Sequence, residues 1–360
     1  MPLGVDVEYK VSVSARLPAA SAAPTITEVD ELTPVGSISY ADELNGDGEA
    51  SLSVNPDTLN SDVAVRLKNL KELPCELNIY RESMLIWRGP ILSCQVQGPT
   101  LTINARGLLY YLRYMTLESD LLYTSATDQF TIGKGLVDTY QALQYGNYGI
   151  DTSGIGTSGV TRIRRYFYKE NQNVYKRLGE LAEVGNGFDY WVDAASRDLM
   201  FDSERGTDLS DEVYADETNI LNPNIFWSVS ADDIASEAIA VGQDAKGTQQ
   251  SIVGTDSNTT LRQQWGRATI FGTGEDVTTQ ATINNHAERL LDSRSEQFFQ
   301  PGPSIFPVTD GEPDDFSPGD TISYLINIGA LGQFSLLRRV RAKRVTAEDD
   351  GTEDMDLELI

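Results

Sequence analysis

Residues 84–117, MLIWRGPILSCQVQGPTLTINARGLLYYLRYMTL, decide how this chain must be divided. They predict a strand carrying Trp87-Arg88-Gly89, a turn at Gln97-Gly98-Pro99 and a second strand over 101–105. In the turn, glycine supplies a permissive φ and proline a fixed one, which is the chemistry of a hairpin. The apolar, tyrosine-rich run Gly107-Leu108-Leu109-Tyr110-Tyr111-Leu112 follows directly. It marks the point where a β-domain hands over to a helical one.

Toward the N-terminus, residues 6–17 alternate strictly. Val7, Tyr9, Val11, Val13, Ala15 and Leu17 fall on one side, and Asp6, Glu8, Lys10, Ser12, Ser14 and Arg16 on the other. That period predicts a long strand with one buried and one wet face. Shorter β-runs are expected over 37–40, 50–54, 63–67, 76–80 and 85–96. Turn chemistry at Asn45-Gly46-Asp47-Gly48 and Asn55-Pro56-Asp57 separates several of them. Short strands at this spacing predict a sandwich or small barrel over residues 1–112.

Beyond the hairpin the period changes. Leu136, Tyr140 and Leu143 recur at helical spacing over 130–145, with Thr127 or Asp128 as the cap. A Gly/Ser-rich loop (146–159) leads to a basic-aromatic strand, Arg162-Ile163-Arg164-Arg165-Tyr166-Phe167-Tyr168. Asn171 or Asn173 caps a second helix with the stripe Val174, Leu178, Leu181 and Val184, ended by Gly185 and Gly187. Phe188, Tyr190 and Val192 then alternate and pair with 199–201. This makes an α+β domain over 113–222.

Residues 223–360 return to β, with runs at 226–241, 268–271, 321–328, 333–346 and 355–360. A helix over 277–296 interrupts them, its face formed by Ile283, Ala287, Leu290 and Arg294. The polar tract 242–260 reads as a mobile loop. The fold class is therefore α+β, a β-rich multidomain chain.

Composition narrows the function. A chain of 360 residues is expected to hold two or three domains. No apolar run reaches the roughly 18–20 residues of a membrane span, so no membrane anchor is expected. The start, MPLGVDVEYK, lacks the basic and apolar regions of a secretion signal. With 28 basic against 54 acidic residues the formal net charge is −26. Such a field opposes any grip on a nucleic-acid backbone, though it suits a wall that DNA slides past. Cys75 and Cys94 read as buried thiols rather than a disulfide framework.

No catalytic or cofactor motif is complete. Read as a calcium loop from Glu43, the turn Asn45-Gly46-Asp47-Gly48 puts Val54 where a bidentate glutamate is required, so it reads as a hairpin turn. Ile132-Gly133-Lys134-Gly135 lacks the spacing of a phosphate loop, and 154–159 is no dinucleotide fingerprint. The single histidine, His286, sits among polar neighbours away from the apolar stripe of its helix. No cofactor and no metal is expected. Two basic strands stand out instead. Over 338–344, period 2 puts Arg339, Arg341 and Lys343 on one face, and Leu336, Val340 and Ala342 on the other. The middle domain carries Arg162, Arg164 and Arg165. Each set is either a solvated strand face or a contact with the acidic surface of a neighbouring subunit.

In its order of pieces the chain resembles siphovirus minor tail proteins of the baseplate-hub and tail-tip-hub family, as found in phages of actinobacteria. The resemblance is carried by the opening β-run through Asn45-Gly46-Asp47-Gly48 and Ala50-Ser51-Leu52-Ser53-Val54, and by Ile86-Trp87-Arg88-Gly89-Pro90-Ile91 with Ala105-Arg106-Gly107-Leu108-Leu109-Tyr110-Tyr111-Leu112. Further pieces are Arg165-Tyr166-Phe167-Tyr168-Lys169-Glu170 with Gly187-Phe188-Asp189-Tyr190-Trp191-Val192, and Phe316-Ser317-Pro318-Gly319-Asp320-Thr321-Ile322 with the strand 338–345. It implies two tube-like β-barrel domains per subunit with an inserted α+β domain. A trimer of such subunits would form a pseudo-sixfold ring that adapts a sixfold tail tube to a threefold tip. It also implies a virion protein assembled in the host cytoplasm, without enzymatic activity. The implied partners are a distal tail protein, a tape-measure protein and tail-tip or fibre proteins, with DNA only as passing cargo. Two other expectations are a carbohydrate-binding or carbohydrate-cleaving tail-tip protein, with Trp227 and Trp265 the first aromatics to inspect although barrel core suits them better, and a hexameric distal tail adaptor.

Overall fold

The computed structural model describes residues 7–32, 35–215, 234–242, 252–274, 280–295, 305–308, 313–327, 332–348 and 351–360. The first seven strands are β1 (Tyr9–Leu17), β2 (Thr25–Glu31), β3 (Val35–Glu43), β4 (Glu49–Val54), β5 (Cys75–Arg81), β6 (Met84–Gln97) and β7 (Thr100–Arg106). The middle of the chain contributes β8 (Leu121–Asp128), β9 (Thr161–Tyr166), β10 (Asp189–Val192), β11 (Leu199–Asp202) and β12 (Asp208–Ala215). Then come β13 (Glu237–Gly242), β14 (Ile252–Ser257), β15 (Thr269–Gly274), β16 (Ile305–Val308), β17 (Thr321–Asn327), β18 (Gln333–Glu348) and β19 (Glu353–Leu359). The α-helices are α1 (Ser61–Lys68), α2 (Gln129–Gln141), α3 (Val174–Ala182), α4 (Thr259–Trp265) and α5 (Gln280–Ser295).

Contacts group the chain into two compact units. One comprises Met1–Ala182, Phe188–Pro223 and Ser304–Ile360; the other comprises Glu183–Gly187 and Asn224–Pro303. The first unit is organised by a large mixed sheet in the order β12-β17-β18-β3-β4-β7-β6-β5-β1-β2, with β19 on β18 and β16 on β19. Two long strands hold it together by changing partner midway. The first half of β6 pairs with β5 and its second half with β7, across a register shift at Ile91/Ser93. A Cβ on Gly89 would lie 1.7 Å from the Arg106 carbonyl oxygen, so the glycine of the Trp-Arg-Gly motif is what lets the bent strand cross β7. Likewise β18 pairs with β17 over its first half, and with β3 and β19 over its second.

The tyrosine-rich exit does what its composition predicts. A short 3-10 helix, Leu108–Arg113, turns Leu108, Leu109, Tyr111 and Leu112 into a core shared with Ile132 and Leu136 of α2, Leu178 and Leu181 of α3, and Phe188 and Leu199. Asp128 caps α2. Its burial alone would raise the carboxyl's pKa, but hydrogen bonds from Ser158, Thr131, Gly159 and Phe130 outweigh that and hold it below the usual value.

Three expectations are corrected. First, the expected wet side of β1 stays wet only at Lys10, because Ser12, Ser14 and Arg16 are as buried as Val11 and Val13, whereas Leu17 is 53% exposed. Asn78 of β5 donates to both Ser12 Oγ (3.1 Å) and Ser14 Oγ (2.8 Å), and its Oδ1 accepts from Arg88 Nε at 2.8 Å. These polar groups therefore find partners on neighbouring strands of the sheet rather than in water. Second, 63–67 is helix α1, not a strand. The Asn60 side chain accepts from Asp62 N, and Val63 and Leu67 share the buried side four residues apart. Third, the polar tract 242–260 contains β14 and the start of α4; residues 243–251 lie outside the described set.

The second unit is small. Strands order β14-β13-β15, antiparallel then parallel, and α5 packs on them through Ala238, Ala240, Ile283, Ala287 and Leu291. Glycine and alanine permit the close approach: a Cβ on Gly254 would meet the Ile283 carbonyl at 2.4 Å. His286 is half-buried, with Nε2 3.4 Å from where a Cβ on Gly272 would stand, rather than free at the surface.

Candidate assembly surface

The basic strand β18 divides into an inner and an outer part. A register shift between Val340 and Ala342 moves the side chains half a period, so Lys343 faces the same way as the buried Val345 and Ala347. The expected grouping of Arg339, Arg341 and Lys343 on one face, with Ala342 opposite, is therefore corrected. Lys343 Nζ donates to the carbonyls of Pro313 (2.6 Å) and Phe316 (2.8 Å), and burial holds its pKa below that of an ordinary lysine.

Arg339 is engaged inside the subunit. Its guanidinium donates to the buried carboxylate of Asp189, to Gly319 O at 2.9 Å and to Arg205 O at 2.5 Å. Asp189 also accepts from Arg205 N (2.7 Å) and from Asn45 Nδ2 (3.2 Å), while Asn45 Oδ1 accepts from Tyr190 N (2.7 Å). Asn45 can do this because its φ of 57° turns the β3–β4 connection. Beside it, the Ser317-Pro318-Gly319-Asp320 turn receives Thr207 N on Asp320 Oδ1 (2.6 Å) and Ser317 N on Asp320 Oδ2 (2.6 Å). Gly206 and Gly319, each at φ +104°, let the two loops touch backbone to backbone, and β12 then runs parallel to β17. Arg341 stays at the surface, paired to Glu358 (2.9 Å) and Glu43 (3.4 Å).

Of the middle arginines, Arg162 is buried and donates to Gln129 Oε1 at 3.2 Å. Arg164 is half-buried and Arg165 exposed. Among the described residues neither has a carboxylate within ion-pair distance. Cross-strand register explains why, since Arg165 stands opposite Leu122 and Arg164 opposite Tyr123.

A second buried ionic cluster had no local signal in the sequence. Glu76 is fully buried and accepts from Tyr111 OH (2.6 Å) and Arg197 Nη1 (2.7 Å); Arg197 also donates to Gly149 O and Tyr148 O. Arg16 lies 4.5 Å from the Tyr148 ring centroid and 5.2 Å from that of Tyr111. These contacts fasten β1 and β5 to the α+β part. Burial and the Glu76 carboxylate push the Tyr111 hydroxyl's pKa well up, so it stays a donor.

A polar cleft of about 180 Å³ opens between the β3–β4 turn and the β10–β11 hairpin, lined by Asp42, Asp47, Asp193, Trp87, Arg88 and Trp191. Arg205 lies 4.7 Å from the centroid of the Trp191 ring and pairs with Asp42 at 3.0 Å, and Asp47 is paired with Arg113 at 2.7 Å. Among the described residues no cluster of His, Cys, Asp or Glu could hold a metal ion. Trp265 closes α4 and is 58% exposed, which corrects its expected place in a core; Trp227 lies outside the described residues.

No protein-family model and no curated protein sequence matches this chain. Solved structures do. The chain is similar to the 43 kDa tail protein of prophage MuSo2 from Shewanella oneidensis, with a TM-score of 0.62 and 11% identity over 98% of both chains. It is similar to the tail protein from Neisseria meningitidis, with a TM-score of 0.59 and 14% identity over 98% of this chain and 96% of that one. It is also similar to prophage tail protein gp18 from Listeria monocytogenes, with a TM-score of 0.55 and 12% identity over 97% and 94%. At these identities the likeness establishes a shared fold, end to end: this chain has the fold of phage tail proteins.

Proposed function

We propose that the chain is a structural subunit of a phage-type tail, a hub at the distal end of the tail tube. The observation that carries this reading is the whole-length match, 98% of either chain in one case, to proteins described as tail proteins. Three copies form the hub, and each supplies two tube-like β-sectors. The N-terminal sector is residues 1–112 and the C-terminal sector is 223–360 with its helical insertion, while residues 113–222 decorate the ring. Strand pairing among the described residues supports this plan, because β1–β7 and the C-terminal group β16–β19 are joined in the large sheet through the pairing of β18 with β3. The trimer adapts a sixfold tube to a threefold tip, is built into the virion after assembly in the host cytoplasm, and contacts distal tail, tape-measure and tip or fibre proteins. Its acidity, a net −26, suits a conduit through which DNA passes without sticking.

The role needs no catalysis and no cofactor. The carbohydrate-active alternative asks for an open aromatic face beside a free carboxylate pair. In the described cleft the Trp191 ring has Arg205 over it, and Asp42 and Asp47 each have an arginine partner. Negative-stain class averages of the purified protein test the hub reading. Hollow particles with threefold or pseudo-sixfold symmetry are expected, and particles the size of one chain at every concentration would contradict it.

A further inference from the structure

We propose that the β8–β9 ribbon is a docking surface for a second copy of this chain, a basic and aromatic strand pair that receives the acidic strand β2 of its neighbour. The inference rests on the self-assembling hub reading above and names the contact through which assembly runs.

Unpaired charge and exposed apolar surface together mark the ribbon. In a chain with 54 acidic and 28 basic residues, an arginine finds a carboxylate readily. Arg81, Arg113, Arg177, Arg197, Arg205, Arg339, Arg341 and Arg344 all have one within 4 Å. Arg164 and Arg165 do not, because β8 places Tyr123 and Leu122 opposite them. Exposed apolar side chains flank these two cations. Leu122 is 49% exposed, Ile163 38%, Phe167 40% and Tyr168 44%. Arginine and aromatic residues beside exposed aliphatics are the composition of an interface centre, not of a solvated strand. Among the described residues β8 and β9 pair only with each other, so the ribbon has open edges where another strand can add.

The occupant is a second copy because the chain carries the complementary element. Strand β2 ends the large sheet and presents Glu28, Asp30 and Glu31; among the described residues Lys10 pairs with Glu28 and Glu31. A strand reading Thr-Ile-Thr-Glu-Val-Asp-Glu beside one reading Thr-Arg-Ile-Arg-Arg-Tyr brings unlike charges opposite each other, which favours cross-strand pairing. Ribbon and acceptor lie on different parts of the subunit, so the contact is head-to-tail, the kind that closes into a ring.

Sedimentation velocity of the full-length protein in low and moderate salt tests this. The wild type should sediment as an oligomer that loosens as salt rises. The variant Arg164→Glu with Arg165→Glu should keep the wild-type circular dichroism and melting midpoint, since both side chains reach solvent, and raise the dissociation constant at least about tenfold through like-charge contact. Adding Glu28→Lys and Glu31→Lys to that variant should restore the oligomer. An oligomer that survives the arginine reversal overturns the proposal while leaving the hub reading in place. A reversal that dissociates the oligomer but is not restored by the β2 exchange overturns β2 as the acceptor. A wild type that stays monomeric under all conditions overturns the hub reading itself, and the contact with it.

Discussion

Strands β18 and β9 are both basic, and in sequence they look alike: Arg338-Arg339-Val340-Arg341 in one, Arg162-Ile163-Arg164-Arg165 in the other. In the folded chain they serve opposite ends. Arg339 and Lys343 are fastened to carboxylate and carbonyl groups that arrive from far along the chain, with Asp189 150 positions away from Arg339. Arg164 and Arg165 stand opposite tyrosine and leucine across the ribbon and, among the described residues, have no carboxylate within ion-pair distance. What separates an internal staple from an external handle is thus the cross-strand and long-range partner, not the local charge pattern.

The largest effect expected from breaking this contrast lies in the buried ion pairs. Arg197→Met leaves Glu76 fully buried without its cation and should destabilise the protein by about 3–5 kcal/mol in urea unfolding. Arg339→Ala removes the clasp on Asp189 and should fall near the lower end of the same range, about 3 kcal/mol. A loss under 1 kcal/mol in either would show that the clusters are relaxed by water.

Lys343→Met is the next step down. It leaves two carbonyls unsatisfied and should cost about 1–3 kcal/mol at pH 7, read from the same unfolding curves. Because burial lowers the folded pKa of Lys343, the unfolded state binds more protons, and wild-type stability should rise as the pH climbs toward the ordinary lysine value of 10.5. The Met variant should lose that slope.

How much of this was legible in the sequence depended on where each partner came from. The hairpin of β6 and β7, the tyrosine-rich exit and helices α2, α3 and α5 were readable because turn residues, caps and apolar stripes are local. Residues 63–67 misled because Val63 and Val65 are β-branched, and the decisive signal was the Asn60 cap just upstream. The alternation of β1 was read correctly as a strand and wrongly as half-wet, since Ser12 and Ser14 owe their burial to Asn78 and Arg16 to tyrosines more than 90 positions away. The bulge at Arg341, which turns Lys343 inward, has no glycine to announce it.

Smaller effects sharpen the outer half of the comparison. Arg164→Ala with Arg165→Ala should leave monomer stability within about 0.5 kcal/mol, whatever it does to assembly. In the small unit the hydrogen bonds and charge of Arg267 hold the Glu237 carboxyl down to about 2. Its contribution is complete above the ordinary value of 4.5 and is lost as the pH falls through about 2. Replacing Arg267→Gln should move that acid transition up toward 4.5 in a circular-dichroism titration, and an unmoved transition would place the proton elsewhere.

Hydrogen–deuterium exchange, compared between the dilute and the concentrated wild-type protein, tests the staple-and-handle contrast most directly. Peptides covering β8 and β9 should gain protection with concentration, while those covering β18 should be equally protected in both. Exchange in β9 that ignores concentration, or protection of β18 that arises only on assembly, would contradict it.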